Sequence, residues 1–401
     1  MAAATAEETA AAARAADLAR ILAAQRQAFQ AASCPDAAAR RAGLRRLRQQ
    51  IGRYQDLLAA ALAADFGGRA ATESKLFDLL PSVMEIDHLI RHVGRWMRPS
   101  RRPTELLFWT NSLRVLYRPK GVVGIIVPWN LPVYLAIGPL AAALAAGNRV
   151  MIKMAEDSPA TAAVLRRMLA EIFAEDEVAL VTLPREEAGA FSALAFDHMV
   201  FTGSTAVGRS VMAAAARNLV PVTLELGGKS PAILAPGFPV ADAARRIAHG
   251  KGANGGQVCV APDHAFVPRA ELAEFLAATA ESWRQMYGGG DATPVISDRQ
   301  LARLQAILAD ARDKGARILP AAPWDPARDG RRMPLHLLTG VTPGMAVMQE
   351  EIFGPLLPVL PYDSLEEVLA QLATAPRPLA LYGFAGDHAL QARILLSLIH
   401  I

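Results

Sequence analysis

From Gly121 onward, short apolar runs alternate with stretches of helical period: GVVGIIV then PLAAALAAG, NRVMIK then SPATAAVLRRMLAEIF, and EVALVTL then HMVFTGSTAVGRSVMAAAARN. A parallel strand covered on both faces reads as an unbroken run of Val, Ile and Leu, whereas a surface helix repeats its apolar positions at its own pitch. The alternation therefore predicts βαβ units and an α/β class. A second series begins near Thr223 with PAILA, a helix through Ile247, AFVP, a helix from Glu271 to Met286, and the amphipathic ISDRQLARLQAILADARDKGARI. That restart places a boundary between two domains, 1–224 and 225–395. Helical spacing dominates up to about Met97. RPTELLFWTNSLRVLYRPKG is then richer in polar and β-favouring residues, and it predicts a hairpin over about 98–119 with Thr110, Asn111 and Ser112 near its turn.

One run needs separate treatment. Gly121 to Asn148 carries no charged residue, which is long enough for a membrane span by length alone. Pro128, Asn130, Pro132 and Pro139 interrupt it, so a buried strand, a Pro-marked turn and a buried Ala-rich helix are expected instead, and no membrane span. The Ala-rich N-terminus holds Glu7, Glu8, Arg14, Asp17 and Arg20 at spacings that break a signal-peptide core, and it predicts a surface helix.

Composition narrows the functional classes. With 401 residues and 52% hydrophobic content, the chain can fill more than one core. Lys and Arg exceed Asp and Glu by only four, and the Arg residues are dispersed, so no nucleic-acid partner is expected. Cys34 and Cys259 are too few for a disulfide framework and fit a reducing compartment, the cytoplasm. No metal-ligand spacing is present, and no metal is expected.

Cys259 stands in GGQVCVAP, thirty-four positions after Glu225 in LELGGKSP, with Asn130 in VPWN far upstream. A lone cysteine is usually a small buried hydrophobe. A thiol, a carboxylate and a neutral amide, each in a Gly- or Pro-bounded turn, are nonetheless the parts of an acyl-transfer site. Lys153 ends the strand NRVMIK and Glu156 follows three residues on, which puts an ammonium and a carboxylate at the C-terminal edge of a parallel sheet, where ligands bind. FTGSTAVG supplies a strand, a turn at Gly203 and a helix starting at Ser204, whose free N–H groups suit a pyrophosphate. Two other matches are set aside. GKGANG follows a helical stretch, not a strand, and GGKS lacks the Gly a phosphate loop needs at position 223. His264 lies five residues after Cys259 with Pro262 between, and gives no reason for its imidazole to reach back.

VPWNLPVY, IKMAEDSPATA, FTGSTAVGR, LELGGKSPAI, GGQVCVAPD and EEIFGPLLPV, in that order, resemble the motif set of the NAD(P)-dependent aldehyde dehydrogenases. RHVGRWM, the hairpin and APDH after the cysteine look closest to the short class that includes coniferyl aldehyde dehydrogenases. The resemblance implies two Rossmann-type parallel-sheet domains plus an oligomerisation hairpin. It also implies oxidation of an aromatic or a medium- or long-chain aliphatic aldehyde to the acid, and a homodimer for the full-length parent. Cys259 would be the nucleophile, Asn130 with the Cys259 N–H the oxyanion donors, and Glu225 the base that activates water. Lys153 and Glu156 would meet the adenosine ribose, Gly203 and Ser204 the pyrophosphate, and Glu351 with Phe353 the nicotinamide ribose and ring. NAD is expected first, because Glu156 repels a 2′-phosphate, with NADP tolerated through Lys153.

After RPLALYGFAGDHALQARIL the chain runs into LSLIHI, without the Gly-rich LPFGG segment and final strands of the resembled family. The sequence therefore predicts a truncated or chimeric reading frame with a non-native tail at 396–401. Two alternatives follow: a catalytically silent fragment of such an enzyme, or a coenzyme-A-acylating relative. Glu225 opposes the second, since such relatives generally lack it.

Overall fold

The run GVVGIIV and its successors become neighbouring strands of one sheet. The computed structural model describes residues 2–396 and divides into two units, Met1–Asp65 with Ser74–Glu225, and Phe66–Glu73 with Leu226–Ile401. The first unit carries β1 (Ser100–Arg102), β2 (Leu113–Val115), β3 (Val122–Ile126), β4 (Arg149–Met154), β5 (Val178–Thr182) and β6 (His198–Gly203), and β7 (Val222–Leu226) closes it. The sheet order is β5-β4-β3-β6-β7, with β3, β4, β5 and β6 mutually parallel where they pair. Chain order reverses between β3 and β6, and such a switch point opens a crevice beyond the carboxyl ends of the strands. Asn130, Glu156 and Ser204 follow the carboxyl ends of β3, β4 and β6, Gly203 terminates β6, and Lys153 is the penultimate residue of β4.

Both faces of this sheet are covered, which is why β4 is buried from Val150 to Met154 without alternation. The uncharged stretch 121–148 resolves into β3 and the helix Tyr134–Ala145, with Pro139 inside that helix. No side chain at Val133 caps this helix. The buried Asp78 carboxylate does so from a distance, accepting from the Val133 and Tyr134 N–H groups at 3.0 and 3.2 Å. Among the described residues, no helix is long and apolar enough to cross a membrane. His88, His92 and Trp96 pack locally along the helix Leu80–Trp96, with the two imidazole centroids 4.2 Å apart and the Trp ring stacked on His92.

β1 and β2 pair antiparallel, Ser100 opposite Val115 and Arg102 opposite Leu113. Their connection contains a short 3₁₀ turn, Leu106–Phe108, so Thr110, Asn111 and Ser112 lie just before β2. Leu106, Leu107 and Trp109 are 85%, 83% and 74% exposed, an apolar tip that a solvated loop would not carry.

The second unit holds β8 (Pro231–Leu234), β9 (His264–Pro268), β10 (Arg317–Pro320), β11 (His336–Thr339), β12 (Leu356–Tyr362) and β13 (Tyr382–Phe384), ordered β10-β11-β12-β9-β8-β13. The β10–β11 pair is antiparallel, and the pairs β11–β12, β12–β9, β9–β8 and β8–β13 are parallel. Ala243, Ala244, Ile247 and Ala248 of the helix Val240–Gly252 pack with Phe275 and Trp283 of the helix Leu272–Tyr287 in one core. The small side chains let the two helices approach closely.

Residues 66–73 belong with this second unit although the sequence reading put them in the first domain. Glu73 explains it: its carboxylate accepts from the Asn254 N–H at 2.7 Å and from the Thr293 hydroxyl. Nothing in the local pattern around Glu73 announces partners so far along the chain. Of the tail expected to be non-native, Leu396 ends the helix His388–Leu396; residues 397–401 lie outside the described residues.

Candidate active site

In the first unit, Asn130 follows β3 and is 2% exposed. The chain leaving β3 is tied to β4 by the Val127 N–H, which donates to the Lys153 carbonyl at 3.0 Å. β4 runs through Met154, one residue beyond the expected end. Lys153, only 4% exposed, forms an ion pair with Glu156. Arg185 reaches the same carboxylate at 3.7 Å and Asp157 at 2.9 Å. Burial alone would raise the Glu156 carboxyl, but hydrogen bonds from Lys153 and its own backbone, with the charges of Lys153 and Arg185, hold it below the usual range. Glu156, Pro159, Ala162, Arg166, Leu183 and Arg185 line a cavity of about 440 Å³.

At the end of β6, Ser204 is a true N-cap, its hydroxyl accepting from the Val207 N–H at 3.4 Å. The helix Thr205–Ala216 has no acidic residue in its first turn, so its free N–H groups face no competing negative charge from that turn. A cavity edged by an ionised carboxylate offers acceptors to hydroxyl groups, and the exposed start of the helix Thr205–Ala216 offers free N–H groups to an anion. Glu225, in β7, is exposed.

In the second unit, the route to Cys259 is a left-handed turn. Asn254, Gly255 and Gly256 have φ of 50°, 61° and 73°. A Cβ on Gly256 would sit 2.5 Å from the Gly354 carbonyl oxygen and 3.0 Å from that of Lys251, so only glycine fits. Gln257 then locks the turn from a fully buried position. Its amide donates to the Asn254 and Pro294 carbonyls at 2.8 and 3.1 Å, and its oxygen accepts from the Ile296 N–H at 2.9 Å. Cys259 emerges two residues later, half-buried and not in a disulfide. Beyond it, the Tyr382 hydroxyl donates to the Val260 carbonyl.

The segment holding Glu351 and Phe353 is strapped to this turn. Asp263 is 2% exposed; its carboxylate pairs with Lys229 and accepts from the Ile352 N–H at 2.9 Å. Burial would raise the Asp263 carboxyl, but His264, Lys229 and Lys251 outweigh it and hold it at about 2. Lys229 also donates to the Val347 and Glu350 carbonyls at 2.8 and 3.0 Å. Phe353 has a φ of 48°, a conformation uncommon outside glycine and one that redirects the chain at this point. The Glu351 carboxylate lies against Gly227, where a Cβ would meet its oxygens at 2.2 and 2.3 Å. Burial pushes Glu351 up to about 7, against the opposing Gly228 backbone hydrogen bond and the charges of Lys251 and Arg303.

The residues singled out from sequence thus fall in two groups. Asn130, Lys153, Glu156, Gly203, Ser204 and Glu225 belong to the first unit, and Cys259, Glu351 and Phe353 to the second. Sequence reasoning missed Gln257, Asp263, Lys229 and Lys251. Gln257 and Asp263 flank the cysteine closely enough that a search for groups supporting its loop would have found them. His264 begins β9, buried, with its ring edge-on to Phe266. Among the described residues, no group of three or more His, Cys, Asp or Glu side chains could hold a metal ion.

Residues 2–393 match the model of the aldehyde dehydrogenase family. A probable coniferyl aldehyde dehydrogenase of Pseudomonas aeruginosa is 49% identical over 379 residues, which cover 94% of this chain and 79% of that protein. A coniferyl aldehyde dehydrogenase of another Pseudomonas is 40% identical, over 85% of this chain and 72% of its own length. A Mycobacterium tuberculosis aldehyde dehydrogenase solved with NAD+ superposes with a TM-score of 0.87 at 29% identity, covering 96% of this chain and 81% of that one. The chain belongs to the aldehyde dehydrogenase family. It is an α/β oxidoreductase that converts an aldehyde to the carboxylic acid with NAD(P)+.

Proposed function

We propose that the substrate is an aromatic aldehyde of the coniferyl type, with medium- and long-chain aliphatic aldehydes as the second choice, oxidised in the cytoplasm by a homodimer that prefers NAD. The observation that carries the chemical reading is the mount of Cys259. The left-handed turn, the three Gln257 hydrogen bonds and the Asp263 strap hold one thiol in a fixed place, as a nucleophile requires and a core cysteine does not.

The Cys259 thiolate attacks the carbonyl carbon and forms a thiohemiacetal. Its oxyanion accepts hydrogen bonds from the Asn130 amide and the Cys259 N–H. Asn suits this role because it donates without titrating. A dinucleotide held by Lys153, Glu156, Gly203, Ser204, Glu351 and Phe353 would supply the hydride acceptor, so that loss of hydride from the thiohemiacetal carbon would leave a thioester on Cys259. Glu225 takes a proton from water as the water adds to the thioester carbon, and the carboxylic acid departs with the thiol restored. Its exposed position leaves it open to water.

NAD preference is supported by the ionised Glu156 at the cavity edge, which repels a 2′-phosphate while Lys153 is engaged by Glu156 itself. The homodimer is supported by the apolar hairpin, where Leu106, Leu107 and Trp109 of the connection, Leu113 of β2 and Tyr117 after it are all exposed. The aromatic substrate is supported by the coniferyl relatives. Neither cysteine is in a disulfide, in keeping with a reducing compartment.

The test is NADH absorbance with NAD or NADP and a panel of aromatic and aliphatic aldehydes. The expected outcome is the highest kcat/KM with coniferyl-type aldehydes and NAD; a preference for short aliphatic aldehydes would remove the substrate reading. Asn130→Ala is expected to lower kcat by roughly 10²- to 10³-fold with a smaller change in KM. An unchanged kcat would take the oxyanion role from Asn130.

A further inference from the structure

Two carboxylates and a guanidinium meet at the rim of the cavity beyond β4 and β5, all within the first unit. Arg185 reaches the Asp157 carboxylate at 2.9 Å and the Glu156 carboxylate at 3.7 Å. Its side chain is 54% exposed, whereas both acids are partly buried. Arg185 and Glu156 line the cavity, together with Arg166 and Glu186.

The loop that carries Arg185 is pinned on both sides. Leu183 is buried, and Pro184 leads into the 3₁₀ turn Arg185–Glu187, where the Glu187 N–H donates to the Pro184 carbonyl at 3.0 Å. The Glu187 carboxylate is in turn paired with Arg14 of the helix Ala2–Ala31. A guanidinium on a fixed backbone, exposed beyond its two ion pairs, is free to exchange one acceptor for a stronger one.

The other cations of this cavity are less suited to that exchange. Lys153 is buried against Glu156, and leaving that carboxylate would strand a buried charge. Arg166 donates to the Leu180 carbonyl at 3.2 Å and the Thr182 hydroxyl at 2.9 Å. A 2′-phosphate takes the place of the ribose hydroxyl that Glu156 would accept from, so the cations that matter are those in contact with Glu156, namely Lys153 and Arg185.

We propose that Arg185 is the specificity-determining residue for the 2′-phosphate of NADP, and that Asp157 competes with that phosphate for its guanidinium. This rests on the reading that Glu156 meets the adenosine ribose, and it moves the NADP tolerance expected of Lys153 to Arg185. With NAD, Arg185 stays on Asp157 and Glu156. With NADP, the guanidinium turns from Asp157 to the phosphate, whose oxygens match its planar fork. Glu156 and Glu186 oppose the phosphate and Arg185 offsets them, which leaves NADP the weaker but admitted cofactor.

Calorimetric titration with NAD and with NADP tests this without turnover. The ratio of NADP to NAD affinity is expected to fall about tenfold in Arg185→Ala, as loss of a charge-assisted hydrogen bond dictates, and to recover in part in Arg185→Lys. Asp157→Asn is expected to raise the ratio about threefold, and the double variant with Arg185→Ala to lose that gain. Arg166→Ala should move the ratio less than Arg185→Ala. Where circular dichroism shows Arg185→Ala misfolded, Arg185→Gln takes its place. A ratio unchanged in both Arg185 variants overturns the proposal, as does a parent that binds NAD but not NADP, or a larger effect from Arg166→Ala. An unchanged ratio in Asp157→Asn overturns the competition. Glu156→Gln separates the two readings: NAD affinity equal to the parent's defeats the ribose reading itself, whereas a changed NAD affinity beside an unchanged ratio in the Arg185 variants defeats the role of Arg185 alone.

Discussion

Cys259→Ala is expected to reduce aldehyde-dependent NADH formation by at least about 10⁴-fold while the protein keeps its fold. Without the thiol no covalent adduct forms, so hydride loss would have to start from the small hydrated fraction of the free aldehyde. The structural cost is slight. Cys259 is half-buried and outside any disulfide, and its loop is held by Gln257 and Gly256. The melting temperature should therefore match the parent's to within what about 1 kcal/mol would change. Steady-state absorbance and a thermal melt on the same preparation check both halves. Turnover within tenfold of the parent would remove Cys259 as the nucleophile.

Asp263→Ala is expected to have the largest effect on stability. The carboxylate is the meeting point of the Lys229 ammonium, the Ile352 N–H and the field of Lys251. Removing it leaves buried positive charge uncompensated, which costs about 3–5 kcal/mol in comparable buried pairs. The melting transition should fall by roughly 10 °C. Asp263→Asn keeps an acceptor for Ile352 and should lie between the two. A pH dependence accompanies this. Asp263 is held at about 2 in the folded protein, below the ordinary carboxyl value of about 3.9. Its contribution is thus fully present above the ordinary value and is lost as pH falls through the folded value. Acid unfolding of the parent should include this loss, and Asp263→Asn should flatten the stability curve there. An Asp263→Ala protein as stable as the parent would show that the strap is incidental.

The elements that were easiest to read are those whose signal is local. β3, β4 and β5 announced themselves as unbroken apolar runs, and the helices Leu272–Tyr287 and Asp298–Asp313 as repeats at helical pitch. Ser204 was legible as an N-cap for the same reason, since a cap and its helix are adjacent in the chain. Cys259, Asn130 and Glu225 were singled out by residue type within expected Gly- and Pro-bounded turns, but Glu225 lies in β7 and not in a turn. Glu156 was read as a ribose contact, and its pairing with Lys153 was within reach because the two lie three residues apart.

What sequence alone determined, then, is the α/β class, the strands that feed the switch point, and the identity of the chemical groups on offer. It could do so because helix and strand periods, caps and turn residues act over a few positions. Tertiary structure decided the rest. It joined residues 66–73 to the second unit through Glu73 and Thr293, 220 positions apart. It capped the helix Tyr134–Ala145 with Asp78, and it brought Lys229 and the Ile352 N–H onto the buried Asp263 carboxylate. A charge reveals its role through burial and through the charges it meets. Both are set by which distant segments pack together, and no local pattern encodes that.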